Sequence, residues 1–196
     1  MPHITQLWNR VGQYASHPDP RVEACNWIAL VVTWNQPFYP LYLYWIVGER
    51  LTPVFLTFLS TPFFLAIPAL SRRYPVLSRA MLPATGIANT MLSAKAFGQA
   101  SGVEIFLIPC ALIGAAFFRP SERIVGLSLV AISVIAFFMM TGQYGVPLGR
   151  FSPEEYQSMV SLNGVSAGTI TIFIGILVSG IIASSEPPPP NDRNAA

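Results

Sequence analysis

The ionisable residues of this chain fall almost wholly between its apolar stretches. Six such stretches follow one another, at residues 24–47, 53–70, 80–97, 103–118, 123–141 and 160–183, and the central third of each holds no Asp, Glu, Lys, Arg or His. About 20 apolar residues carry one helix across a bilayer, where no water is present to satisfy an open backbone. Only 10% of the 196 residues are charged and 53% are hydrophobic, whereas an ordinary soluble domain carries about 25% charged residues. A soluble globular enzyme is excluded on that balance. Disorder is excluded for all but the ends, because disordered chains are poor in apolar side chains. A net charge of +2 is too small to invite nucleic acid. The expected fold class is all-α: a polytopic membrane protein, a six-transmembrane-helix bundle with a short N-terminal amphipathic helix, whose first partner is the lipid bilayer.

Three regions follow from this pattern. Residues 1–18 form an amphipathic interfacial segment, in which Ile4, Leu7, Trp8, Val11 and Tyr14 recur at helical spacing between polar residues. No apolar run follows a basic start there, so it does not read as a signal peptide. Residues 19–183 form the six-helix membrane domain, opened by Asp19 as N-cap and Pro20 at the first helical position. Residues 184–196, with Pro187-Pro188-Pro189-Pro190, form a disordered, proline-rich cytoplasmic tail. Ser152-Pro153-Glu154-Glu155 reads as a capping box that starts the sixth helix well before the bilayer.

The cations set the orientation. Arg10, Arg21, Arg72, Arg73, Arg79, Arg119, Arg123 and Arg193 fall on one side, and Arg50, Lys95 and Arg150 on the other. Eight against three places both termini in the cytoplasm. Arginine outnumbers lysine ten to one, a compositional hint of a GC-rich bacterium and hence of its inner membrane.

No catalytic machinery is expected. His3 and His17 both precede the first span, which leaves no imidazole inside the membrane for haem or for a histidine-based nucleophile. Cys25 and Cys110 lie in different apolar segments without CxxC spacing and read as small apolar residues. No metal and no cofactor is expected. Lys95 and Glu104 flank the Gly98–Gly102 link, and with Gln99, Gln143, Tyr144 and Asn163 they outline a polar pocket on the outer side. The same lysine and glutamate could instead close a hairpin as an ion pair. Asn35 and Asn89, with Thr33, Gln36 and Thr90, should face the bundle interior as interhelical contacts, or line a cavity for a ligand such as a quinone. Gly164 and Gly168 make a small-residue face suited to helix packing, inside the chain or in a dimer. Pro37, Pro40, Pro62, Pro68 and Pro109 should kink their helices.

The six-span plan with both ends inside is joined by three stretches: Lys95-Ala96-Phe97-Gly98-Gln99-Ala100-Ser101-Gly102-Val103-Glu104-Ile105-Phe106-Leu107, Phe117-Phe118-Arg119-Pro120-Ser121-Glu122-Arg123, and the Asn163 region. Together they resemble the six-helix membrane modules found ahead of bacterial class III adenylate cyclase domains and some histidine kinases, over residues 24–183. The resemblance implies a non-catalytic sensor or anchor module that passes a signal to an effector, here without the effector domain attached. The expected function is a receptor or sensor-like module acting on a partner protein. The alternatives are an accessory or assembly subunit of a larger respiratory or photosynthetic complex, and a small substrate-binding transport component. A protein partner or a second copy would dock through helix one, rich in Trp and Tyr, or through helix six.

Overall fold

A computed structural model describes residues 2–48, 52–142 and 145–185, with side chains for 5–48, 53–142 and 145–185. Every regular element among them is helical, and no strand is present. The α-helices are α1 (Pro2–Ala15), α2 (Pro20–Asn35), α3 (Phe38–Val47), α4 (Thr61–Ser71), α5 (Pro75–Phe97), α6 (Leu107–Ala116), α7 (Arg123–Met140) and α8 (Pro153–Ser185). Short 3-10 segments, Thr52–Ser60, Val103–Phe106 and Pro120–Glu122, lead into α4, α6 and α7.

Three stretches of continuous helix are long and apolar enough to cross a membrane: Pro53–Ser71, Pro120–Met140 and Pro153–Ser185. That is half the six expected, and the remaining three fall short for separate reasons. The first apolar segment breaks at Gln36-Pro37 into α2 and α3. The fourth has only Val103–Ala116 as helix. The third, α5, has 23 residues but carries Ser78, Arg79, Thr85, Asn89, Thr90, Ser93 and Lys95. Its polarity follows from its place, because α5 packs against α2, α4, α6 and α7 and meets protein where the others meet surroundings.

The local signals act as their chemistry dictates. The Asp19 carboxylate accepts the Arg21 amide at 3.0 Å and caps α2. Ser152 and Glu155 bond reciprocally, at 2.6 Å and 3.3 Å, to open α8. Gly98 and Gly102 take φ of +89° and +69°, conformations that a Cβ would penalise, and so turn the chain from α5 into Val103–Phe106.

Three clusters make the core. Cys25, Ile28, Phe64, Ile67, Leu82, Ile113, Phe117 and Ile174 join α2, α4, α5, α6 and α8. Ile87, Leu107, Cys110, Ala136 and Met140 join α5, α6 and α7. Leu43, Val54, Phe97 and Met159 join α3, the 52–60 segment, α5 and α8. Both cysteines are free and buried, each in a different cluster.

On α7 the buried residues are Gly126, Leu129, Ser133, Ala136 and Met140, alternating steps of three and four that trace one seam. Most of the other α7 side chains are apolar and exposed, among them Ile124, Leu127, Ile135 and Phe138, and α8 leaves Val165, Ile172, Ile176 and Ile182 exposed. Helices apolar on every face are built for a non-aqueous surrounding. At about 1.5 Å per residue, α8 is about 50 Å long, well beyond a hydrocarbon core of about 30 Å.

The close helix crossings lie away from the expected glycines. Among the described residues, nothing comes within 4 Å of where a Cβ on Gly164 or Gly168 would stand. The close approach is between α6 and α7, where a Cβ on Gly126 would strike the Gly114 carbonyl oxygen, and between α5 and α6, where a Cβ on Gly86 would lie 2.6 Å from Cys110 Sγ.

Candidate functional site

Of the residues expected to form an outer pocket, Lys95, Gln99 and Asn163 each bond another part of the chain. Lys95 Nζ donates to the Val146 carbonyl at 2.9 Å. Leu148 and Gly149 donate their amides to the Lys95 and Ala96 carbonyls, each at 2.9 Å. Gln99 Oε1 accepts the Gly142 amide at 3.3 Å. Asn163 is fully buried; its Nδ2 donates to the Ser101 carbonyl at 2.9 Å and its Oδ1 accepts from Tyr39 at 3.1 Å. No ion pair joins Lys95 to Glu104 among the described residues, and Glu104 Oε2 is buried without a partner. Gln143 and Tyr144 lie outside the described residues. Lys95, Gln99, Glu104 and Asn163 line neither cavity described below.

The larger cavity lies deeper. It has a volume of about 640 Å³ and is walled by α2, α5, α6 and α8, with Tyr39 and Tyr42 of α3 above it. Ile28, Phe64, Leu82, Phe106, Ile113 and Phe173 supply apolar surface. Asn35 and Asn89 both face it, as do Gln36, Thr90, Ser93 and Ser166. Among the described residues, no Lys, Arg, His, Asp or Glu lines it. Volume and lining are those of a small-molecule site, mostly apolar with a few converging polar groups.

Its polar wall is partly tied down. Gln36 Nε2 donates to Ser60 Oγ at 2.6 Å and to the Thr57 carbonyl at 3.3 Å, while Gln36 Oε1 accepts from Thr61 at 2.6 Å. One carboxamide thus joins the break between α2 and α3 to the junction where the 52–60 segment becomes α4. Proline is the cause at both places, since Pro37 and Pro62 cannot donate the amide that would continue a helix. Asn89 differs. Its Oδ1 is buried with no partner, and no hydrogen bond from the described residues reaches its carboxamide.

At the opposite end of the bundle a second, shallower cavity of about 400 Å³ is lined by His17, Asp19, Arg79, Arg119 and Glu122 among others. Arg79, expected in a loop, sits in the second turn of α5 and is 1% exposed. Its guanidinium donates to the Phe117 carbonyl at 2.6 Å and to Glu122 Oε1 at 2.8 Å, with its Cζ 5.4 Å from the Phe118 ring centroid. Arg119 reaches back to Asp19 at 2.8 Å. Burial alone would raise the Asp19 pKa, but the Arg21 amide bond and the charges of Arg119 and Arg79 outweigh it and hold it below the ordinary 3.8. These contacts pin the α6–α7 turn to α5 and to the start of α2. Among the described residues, no group of three His, Cys, Asp or Glu gathers to hold a metal ion.

Sequence reasoning missed Arg79 as a buried clamp and Gln36 as a joint between two helix breaks. The signal for Gln36 was its place beside Pro37 inside an apolar run, where a large polar side chain needs partners. Arg79 carried no local signal, since its partners lie 38 and 43 residues away.

No protein family model, curated protein or solved structure matches the chain.

Proposed function

We propose that this chain is a non-catalytic receptor or sensor-like module of a bacterial inner membrane, which takes a small apolar or amphipathic molecule into the bundle and passes its occupancy to a partner protein. The 640 Å³ cavity carries the reading. Its lining, mostly apolar with a few polar groups, is that of a site for a small apolar or amphipathic molecule. α8 supplies one wall through Val165, Ser166, Thr169 and Phe173 and continues to Ser185, so occupancy acts directly on the helix that leads away from the site.

Six crossings follow when each broken helix counts once: α2 with α3, Thr52–Ser60 with α4, α5, Val103–Phe106 with α6, Pro120–Glu122 with α7, and α8. The arginine bias then sets Arg72, Arg73, Arg79, Arg119 and both termini inside. α1 lies along the inner interface, where Leu7 and Trp8 are exposed and Tyr14 bonds the Leu65 carbonyl at 2.7 Å.

The test is native mass spectrometry of protein purified in mild detergent. Wild type retains a stoichiometric small molecule, and Ser166→Phe, which fills the cavity, loses it while staying folded. Absence of any retained or added small molecule at the wild-type site overturns the reading.

A second reading, an accessory subunit of a larger membrane complex, is favoured by one observation. The glycine face of α8 is uncovered, and only 11% of that helix's most apolar window is buried. Co-purification of a partner that Gly168→Leu abolishes would support it; a lone monomer would count against it.

A further inference from the structure

The large cavity is not closed on all sides. Its exposed lining residues are Val31, Trp34 and Asn35 of α2 and Val165 and Thr169 of α8, while those from α5 and α6 are buried or half-buried. Trp34 is 74% and Val165 70% exposed. The mouth therefore lies between α2 and α8, along the flanks of two helices. Both are apolar on either side of it, from Ile28 to Val32 and from Ile170 to Ile176. In a membrane-embedded bundle that mouth gives onto acyl chains, and a molecule reaches it by first dissolving in the bilayer.

The interior then selects by charge and by head group. With no Lys, Arg, His, Asp or Glu among the described residues of the wall, a charged ligand would lose its hydration and gain no counter-charge from them. Half of the polar side chains lining the cavity already have partners. Gln36 is bonded to Ser60 and Thr61, Thr90 donates to the Gly86 carbonyl, Thr57 to the Val54 carbonyl and Tyr39 to Asn163. Among the described residues, Asn89 alone combines a place on this wall with a sealed, unpaired side-chain oxygen. A carboxamide offers two donors and one acceptor, and leaving it unpaired in an apolar setting is unfavourable. Rotation about its terminal torsion, which is soft, presents either end to the cavity.

We infer that the cavity binds an uncharged lipophile that enters from the bilayer between α2 and α8 and hydrogen-bonds through a single oxygen head group to the Asn89 carboxamide. This rests on the cavity being a ligand site, as proposed above. It replaces entry through the Lys95–Asn163 end, where the polar side chains fasten loops to helices. Asn89 here is a binding residue whose role is to select the head group.

The experiment uses the full chain in phosphatidylcholine nanodiscs and three probes on one hydrocarbon skeleton: farnesol, farnesene and farnesoic acid at pH 8. Binding is read by native mass spectrometry against the mole fraction of probe in the lipid, which removes differences in partitioning. Farnesol is expected to bind about fivefold more tightly than farnesene, the worth of one net hydrogen bond, and the ionised acid more weakly than farnesol. Asn89→Leu is expected to bring farnesol to the level of farnesene without weakening farnesene. If that variant does not fold, Asn89→Ala serves, and the comparison of probes on wild type needs no variant. Equal binding of farnesol and farnesene to wild type would overturn the head-group assignment, and tightest binding of the acid would overturn neutrality; both leave the cavity a ligand site. Failure of all three probes would overturn this inference together with the reading beneath it only if the purified wild type also retains no native small molecule. If it does retain one, the inference alone falls.

Discussion

Gln36 and Ser60 meet at 2.6 Å where the two helices that carry them are broken. A bond at that place joins four short rods, α2, α3, the 52–60 segment and α4, into one joint beside the large cavity. Gln36→Leu removes the bonds to Ser60, Thr57 and Thr61 together and leaves polar groups unpaired in an apolar setting. The expected destabilisation is about 2 kcal/mol, read as loss of denaturant resistance in detergent. A change under about 0.5 kcal/mol would show that the joint carries no stability.

Arg79 is the counterpart at the other end. Its fork reaches a carbonyl and a carboxylate at once, which a lysine ammonium does not reproduce. Arg79→Ala should destabilise by about 3 kcal/mol by leaving Glu122 and the Phe117 carbonyl without their partner, and Arg79→Lys should recover less than half. Full recovery by lysine would mean that charge alone matters there.

The glycines separate cleanly. Gly126→Ala forces a methyl against the Gly114 carbonyl and should cost about 2 kcal/mol. Gly168→Ala, in open space within the chain, should be neutral or stabilising by about 0.5 kcal/mol. Thermal unfolding of both variants in the same detergent makes the comparison. A penalty at Gly168 would place a partner helix on α8.

Asp19 makes stability depend on pH. Its folded pKa lies below the ordinary carboxylate value, so its contribution is fully present above that value and is lost as pH falls through the folded pKa. Wild type is expected to lose melting temperature between about pH 5 and about pH 3, and Asp19→Asn to lose less over that interval. Identical slopes would remove Asp19 from the account.

What could be read from the chain beforehand follows the range of the interactions involved. The Asp19 cap, the Ser152–Glu155 box and the turn at Arg119–Glu122 each close within a few residues, so the order of types announces them. The apolar stretches were legible because helical segments in lipid leave so few alternatives. The cavity was foreshadowed only by Asn35 and Asn89, which face it, although Asn35 stands at its exposed mouth. Lys95, Gln99 and Asn163, expected around an outer pocket, bond other parts of the chain, because polar residues at a helix end serve equally well to fasten loops. Gly114 and Gly126 were invisible because their significance appears only when α6 and α7 cross. Gly164 and Gly168 fit a small-residue pattern, and among the described residues nothing fills the space beside them.

The account depends most on the chain crossing the bilayer six times. Single cysteines placed at Arg72→Cys and Ser121→Cys, and at Ala100→Cys and Val146→Cys, are each tested with a membrane-impermeant maleimide on intact cells and after permeabilisation, in a Cys25→Ser, Cys110→Ala background. The account predicts immediate labelling at positions 100 and 146, and labelling at 72 and 121 only once the membrane is opened. Labelling of Arg72→Cys and Ala100→Cys from the same side would remove α5 as a crossing and contradict the account.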